Sequence, residues 1–471
     1  MMSDILALSA REMARAIRER RLSPVETMQA VLDRMDAGRS LNAFITVVAE
    51  QALADAKRAE DAVMQGAHLP PLHGIPYSVK DLLNTAGVRT TMGSALFADN
   101  IPKEDAVAVA RAKQAGAILI GKTTTPEFGH KQLTEGPIFG LTLNPINRSV
   151  TCGASSGGAA VALAAGMGPL ALGTDGGGSI RIPAACCGVV GFKATLGAIP
   201  HLQVPDLFSA NSFAGPMARD VADTALFYDV LAGPDRLDPF GQARPQQWAG
   251  PDQVKGLRVG WMPRCGNSLL DPEVEWATQA AVQSMAESGA IVEQIELDFV
   301  SLEPHFLVML ESAIASRVAP RMEAFRTRLD PHLITTVEAG LRHSAVDLQN
   351  AGAARSGMFR EVQAMLQRFD VIVSPVLTAP PAPLDERLPD GPVLVAGQES
   401  GRIRGGWYPY TFPFNLTGHP ALALPCGKTQ AGLPIGLQIV GAWYSDQTLL
   451  KIAMQVEQLL AGRWKADVHL V

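Results

Sequence analysis

The chain has 471 residues, 47% of them apolar, which is enough for a large core and, by length alone, for two or three domains. A net charge of −6 and a pI near 5.9 argue against a nucleic-acid partner, which a basic footprint would serve. No stretch approaches the roughly 18 uninterrupted apolar residues of a membrane span, and five cysteines without a pairing pattern fit a reducing cytoplasm.

Met1-Met2-Ser3-Asp4-Ile5 shows no basic segment, and Arg11, Arg15 and Arg18 soon interrupt the apolar residues, so no signal peptide is expected. Ser9-Ala10-Arg11-Glu12 and Ser23-Pro24-Val25-Glu26 both read as capping boxes, the second with proline at the first helical position. They predict two amphipathic helices ending near Arg20 and Met35. A strand follows at 44–48 and a helix at 50–65. From Ile75 onward, strands at 75–80, 117–120 and 169–172 alternate with helices at 105–115, 157–166 and 220–232, the pattern of an α/β sheet. Residues 234–256 are rich in Pro, Gly and Asp and read as a long connection. A fresh strand at 257–261 precedes a mostly helical segment, 271–368, interrupted near Pro304 and Pro331. Residues 370–374 return to the sheet. The six prolines within 375–392 predict an extended loop, and 445–460 a closing helix. There is no internal repeat or low-complexity tract.

Two glycine-rich runs stand out, Gly153-Ala154-Ser155-Ser156-Gly157-Gly158 and Thr174-Asp175-Gly176-Gly177-Gly178-Ser179-Ile180-Arg181. Either alone reads most simply as a turn or a close-packing site. Together they place hydroxyls beside bare backbone N–H groups, the arrangement an oxyanion and a nucleophile need. A base is wanted. His73 to Asp81 reads as a turn and a short strand, with Ile75, Tyr77 and Val79 on one face and Lys80 at the end beside Asp81. A lysine so placed is ordinarily a solvated surface charge.

Other motifs carry less. Gly116-Ala117-Ile118-Leu119-Ile120-Gly121-Lys122-Thr123 fits the P-loop pattern in letters, but its apolar centre reads as a strand and a helix precedes it. Gly153-Ala154-Ser155-Ser156-Gly157 fits the nucleophile elbow, yet polar residues 144–151, broken by Pro145, take the place of a buried strand. His201, His305, His332, His343 and His419 are available as bases, but none sits in a motif that singles it out. The sequence has no metal-ligand spacing, so no metal or other cofactor is expected. Cys152, Cys186 and Cys187 flank the serine runs and read as small buried hydrophobes.

Gly-Ile-Pro-x-x-Val-Lys-Asp from Gly74, Ser-Ser-Gly-Gly from Ser155, and Gly-Gly-Ser-Ile-Arg-x-Pro-Ala from Gly177 together resemble the amidase signature family, which cleaves amide bonds with a Ser–cis-Ser–Lys triad. Further blocks agree: Gly121-Lys122-Thr123 with Pro126-Glu127-Phe128-Gly129, Asn144-Pro145, 188–193, 215–219, Asn415 to Pro420, and 432–438. The resemblance is dense from about 70 to 235 and thinner from 370 to 460. Ala154 and Thr124 depart from residues common in the family, glycine and asparagine, without removing a functional group.

The resemblance implies that Ser179 is the nucleophile, Ser155 the bridging cis-serine, Lys80 the base, and the N–H groups of Gly176, Gly177, Gly178 and Ser179 the oxyanion hole. Thr174, Asp175 and Arg181 would hold the Ser179 loop, the last two as an ion pair or hydrogen-bond clamp. It implies one amidase domain over 1–471, an α/β/α sandwich whose mixed central sheet is surrounded by helices. N-terminal helices would occupy about 1–65, the signature core about 70–235, and a helical insert over the site about 271–368. The expected substrate is a small-molecule amide, with no nucleic-acid or membrane partner and a homodimer left open. The rival reading is the glutaminase subunit of a tRNA-dependent amidotransferase, whose pocket needs a fixed cation for a carboxylate and an acid for an ammonium. Trp407, Tyr408, Tyr410, Phe412 and Phe414, near Arg402 and Arg404, read either as core or as an apolar pocket wall.

Overall fold

Short runs of buried residues assemble one sheet of eleven strands. The computed structural model describes residues 2–204, 206–209, 211–241, 251–385, 388 and 391–464. The strands are β1 Phe44–Val47, β2 Pro76–Lys80, β3 Ile118–Thr123, β4 Leu170–Asp175, β5 Val190–Lys193, β6 Phe213–Ala218, β7 Arg258–Trp261, β8 Ile291–Gln294, β9 Val371–Pro375, β10 Ala421–Lys428 and β11 Pro434–Val440. Their order is β1-β3-β2-β4-β6-β5-β10-β11-β9-β7-β8. Strands β3, β2 and β4 run parallel, as do β9, β7 and β8, while β6, β5, β10 and β11 pair antiparallel between them. The sheet is therefore mixed.

Strand alternation sorts the core onto two faces. Tyr77, Val79, Leu119, Leu170 and Leu172 join one cluster, Ile118, Ile120 and Ala171 the other. Helix α1 (Ala10–Arg18) packs with the first cluster, whereas α2 (Pro24–Ala37) and α3 (Ala49–Met64) pack with the second. Helix α4 (Val107–Gln114) joins the first, α5 (Gly157–Ala164) and α6 (Arg181–Cys187) the second. Helices α7 (Val221–Leu231) and α8 (Pro272–Glu287) return to the first face. This is the expected α/β/α sandwich.

Beyond the sheet, helix α9 (Glu303–Phe325) packs against both α10 (Pro331–Gly340) and α11 (Ala345–Arg368). Prolines 304 and 331 lie in the first turns of α9 and α10, where no N–H partner is lost, so they start these helices. The stretch 271–368 is also interrupted by β8, which pairs with β7. The closing helix α12 (Asp446–Leu459) again lines the first face.

The cap of α1 forms the full box, with Ser9 and Glu12 bonding each other's backbone N–H. The cap of α2 departs from expectation. Ser23 Oγ accepts from the N–H groups of Val25 and Glu26 but donates to Glu60 of α3 at 2.6 Å, so the tie runs between helices. Among the described residues of 376–392 the chain is non-repetitive, touching the core through a bridge between Val150 and Pro383. Part of that loop and residues 242–250 of the 234–256 connection lie outside the described residues.

Candidate active site

Parallel strands β2 and β4 lie side by side and end together, with Lys80 closing one and Thr174–Asp175 the other. Because Val79 points to the first face, alternation sends Lys80 to the second, where α5 begins. The loop into α5 brings two hydroxyls to the lysine. Lys80 Nζ lies 2.7 Å from Ser155 Oγ, 2.9 Å from Ser156 Oγ and 3.2 Å from the Thr174 carbonyl. The peptide between Ala154 and Ser155 is cis. Lys80 is fully buried and, among the described residues, no carboxylate pairs with it directly. Burial drives its ammonium well below the ordinary lysine range, against the opposing charge of Asp175.

Ser156 settles the proton arrangement around that amine. Its Oγ donates to the Thr174 carbonyl at 3.0 Å, so it can only accept from Lys80. The Thr174 carbonyl is also an acceptor. A neutral amine that donates to both must present its lone pair toward Ser155.

The second loop is held by a buried ion pair. Arg181 makes five hydrogen bonds: two to Asp175 (both 3.0 Å), and one each to the Thr411 carbonyl (2.9 Å), Gln438 Oε1 (2.7 Å) and Asn415 Oδ1 (2.7 Å). Asn415 Nδ2 returns to Asp175 Oδ1 at 2.9 Å. Burial alone would raise the Asp175 carboxyl, but the charge and hydrogen bonds of Arg181 outweigh it and hold the group below the usual carboxylate range. Asn415 and Gln438 lie within the family-like sequence blocks, yet neither they nor Thr411 carried an expected role.

The same carboxylate corrects one expectation. The Gly178 N–H donates to Asp175 Oδ1 at 2.6 Å and is not a free donor. The N–H groups of Gly176, Gly177 and Ser179 remain unpartnered among the described residues. Gly178 sits at φ +119, a conformation that side chains rarely adopt, and a Cβ there would strike Ile182 and Thr411. The two serine loops are tied by the Ser156 N–H donating to the Ser179 carbonyl at 3.0 Å. Ser179 Oγ has no hydrogen-bond partner among the described residues and is 6% exposed, so its link to Ser155 is open here. Gly129 backs Ser155 closely, since a Cβ on it would lie 2.8 Å from Ser155 Oγ.

Helix α9 reaches this centre: a Cβ on Gly177 would lie 2.8 Å from the Phe306 ring. Trp407, Tyr408, Tyr410, Phe412 and Phe414 are all buried, with Phe412 behind Phe306 and Phe414 edge-on to Phe299. Trp407 and Tyr408 join one buried cluster and Tyr410, Phe412 and Phe414 another. The P-loop pattern lies in β3, where buried Lys122 donates to the Leu83 carbonyl, Thr85 and Thr90, and burial draws it down to about 7. Among the described residues no histidine bonds Ser155, Ser156 or Ser179. Cys152, Cys186 and Cys187 are buried thiols, Cys152 pushed up to about 12 by burial. Among the described residues no cluster could hold a metal ion, and no helix is long and apolar enough to cross a membrane.

A family profile described as Amidase matches residues 26–450. An acylamidase of Rhodococcus erythropolis is 37% identical over 96% of this chain and 95% of its own. A glutamyl-tRNA(Gln) amidotransferase subunit of Moorella thermoacetica is 32% identical over 97% of each chain. Among solved structures, a bacterial aryl acylamidase of the amidase signature enzymes superposes with a TM-score of 0.89 at 27% identity, covering 98% of both chains.

Proposed function

The chain belongs to the amidase signature family and is an amide-hydrolysing enzyme, and on that premise we propose that it turns a carboxylic acid amide into acid and ammonia or amine through an acyl-enzyme on Ser179. Ser155 is the relay and Lys80 the base. The observation that carries this reading is the buried, carboxylate-free Lys80 amine within 2.7 Å of Ser155. An amine accepts a proton only when neutral, and burial supplies that state.

Ser179 Oγ attacks the amide carbon as its proton passes to Ser155 and that of Ser155 passes to Lys80 Nζ. The tetrahedral oxyanion lies against the N–H groups of Gly176, Gly177 and Ser179, which substrate need not reorganise. The Lys80 ammonium then returns its proton through Ser155 to the leaving nitrogen, and the C–N bond breaks. Water enters by the same relay and releases the acid. The open Ser155–Ser179 link closes when substrate places Ser179, as catalytic hydrogen bonds often tighten only in the complex.

The glutaminase-subunit reading rests on the amidotransferase relatives. Rapid mixing with a panel of simple anilides and amides, glutamine included, tests both. A burst of amine on anilides with negligible ammonia from glutamine supports the hydrolase. Ammonia from glutamine alone, raised by a partner, supports the rival. No acyl-enzyme on any substrate removes the mechanism.

A further inference from the structure

One face of helix α9 leads away from the reaction centre. Phe306, Leu310, Ala313 and Arg317 recur at i, i+4, i+7 and i+11, and so share one face of the helix. Phe306 stands against Gly177 of the Ser179 loop. Of these four only Leu310 also borders the cavity of about 160 Å³ between α9, α10 and residues His130–Gln132. Ala313 is small and exposed. Arg317 ends this face about 16 Å along the helix axis from Phe306, less the reach of its own side chain.

Arg317 is a partly buried cation. Its guanidinium lies over the Phe128 ring, 5.2 Å from the centroid, and Phe128 immediately precedes the glycine that backs Ser155. Among the described residues no carboxylate or carbonyl bonds it, whereas Arg326 on the same segment has Glu323 and Glu338. Its charged neighbour is Arg321, one turn on and exposed, over Phe97. Like charges at this spacing destabilise a helix, and half-burying one adds to that. His201 is held to about 4, by burial first and then by the charge of Arg317, so it stays neutral and adds no second positive charge beside that guanidinium.

We propose that Arg317, at the far end of this helix face, is an anion-recognition residue for substrate. The enzyme would act on amides that carry a carboxylate separated from the scissile bond by an apolar chain of several atoms. This deepens the hydrolase reading and rests on it. The carboxylate can belong to the acyl half, as in a dicarboxylic acid monoamide, or to the amine half, as in an N-acyl ω-amino acid.

Matched pairs test it at low ionic strength. Adipic acid monoamide against hexanamide puts the charge on the acyl half, and N-acetyl-6-aminohexanoate against N-hexylacetamide puts it on the amine half. At least one pair shows a preference of tenfold or more in kcat/KM for the charged member. Arg317→Gln lowers that ratio about tenfold, mainly through KM, and Arg317→Lys restores part of it. Arg321→Gln removes the same net charge one turn away and changes the ratio less than threefold. Equal rates within both pairs, or equal effects of Arg317→Gln and Arg321→Gln, would overturn the assignment. Calorimetric binding of each pair to Ser179→Ala reads the same preference without turnover. Selective, Arg317-dependent binding with no catalysis by the unaltered enzyme would therefore sink the hydrolase mechanism and leave the anion site standing; binding without selectivity would sink the site.

Discussion

Two fully buried basic side chains, Arg181 and Lys80, stand near the adjacent ends of β4 and β2 and are treated in opposite ways. Arg181 meets an ionised carboxylate and fills five hydrogen bonds with groups from β4, β11 and the 411–415 segment. Lys80 meets two hydroxyls and a carbonyl, and no charge. A guanidinium cannot lose its proton at ordinary pH, so burying it requires full compensation. An amine can, so leaving it uncompensated makes it neutral. The first region fixes the shape of the Ser179 loop and the second holds the amine proposed above as the proton acceptor. The molecule separates rigidity from reactivity between adjacent strand ends.

The largest effects belong to the reactive region. Ser179→Ala is expected to cut turnover on the order of 10⁶-fold with folding intact, and a fluorophosphonate is expected to label Ser179 in the unaltered protein. Label on Ser155 or Cys152 would reassign the nucleophile. Lys80→Ala and Ser155→Ala each lose orders of magnitude, and the double variant loses little more than either, because the two act as one unit. Additive losses would place them on separate proton paths.

The clamp breaks differently. Arg181→Met leaves Asp175 buried with an unpaired charge and is expected to destabilise the fold by about 3–5 kcal/mol, read by denaturant unfolding. Lys80→Met is expected to cost much less, because it removes an amine whose burial is itself unfavourable. Its pH dependence has a definite sign. The folded pKa of Lys80 is depressed, so the native state binds fewer protons than the unfolded chain. Stability is fully present above the unfolded pKa of about 10.4 and is lost as pH falls toward the depressed value. Lys80→Met therefore gains on the unaltered protein as pH falls from about 10 to 7. A constant difference across that window would mean that Lys80 is not neutral in the fold.

Much of this separation was legible in the sequence, and the illegible parts share a cause. Strands β2, β3 and β4 announced themselves because their apolar runs are local, and Lys80 fell at a strand end by alternation. Strand β6, Phe-Ala-Gly-Pro-Met-Ala, did not, since glycine and proline inside six residues read as a loop. It is buried because β4 and β5 bond it on both sides. Strand β10 hides in the same way, with Pro425 at a register shift. The family resemblance singled out Lys80, Ser155 and Ser179, whose motifs are contiguous. The partners of Arg181 lie 230, 234 and 257 positions away, a separation no local pattern encodes. Gly178 was expected among the oxyanion donors because the resemblance carried the whole run from Gly176 to Ser179 across. Only the fold turns one of its N–H groups back onto Asp175.

The smallest expected effect sharpens the contrast most, because it concerns direction and not charge. Ser156 neither reacts nor carries charge, yet with the Thr174 carbonyl it takes the two N–H bonds of a neutral Lys80 and leaves the lone pair for Ser155. In Ser156→Ala the amine is still buried and still neutral, but it can rotate. Losing one neutral hydrogen bond is worth about 0.5–1.5 kcal/mol, or roughly three- to tenfold in rate. That loss is expected in kcat with KM unchanged, since Ser156 faces the lysine and not the substrate. The Thr174 carbonyl alone then orients the amine, and Ser156→Thr, which keeps the hydroxyl, recovers most of the rate. The acidic limb of kcat/KM stays where it was, because burial sets the Lys80 pKa and burial is unaltered. If that limb moved by a full pH unit, or if KM rose while kcat held, Ser156 would be acting on the charge of Lys80 or on substrate, and the orientation argument would fail.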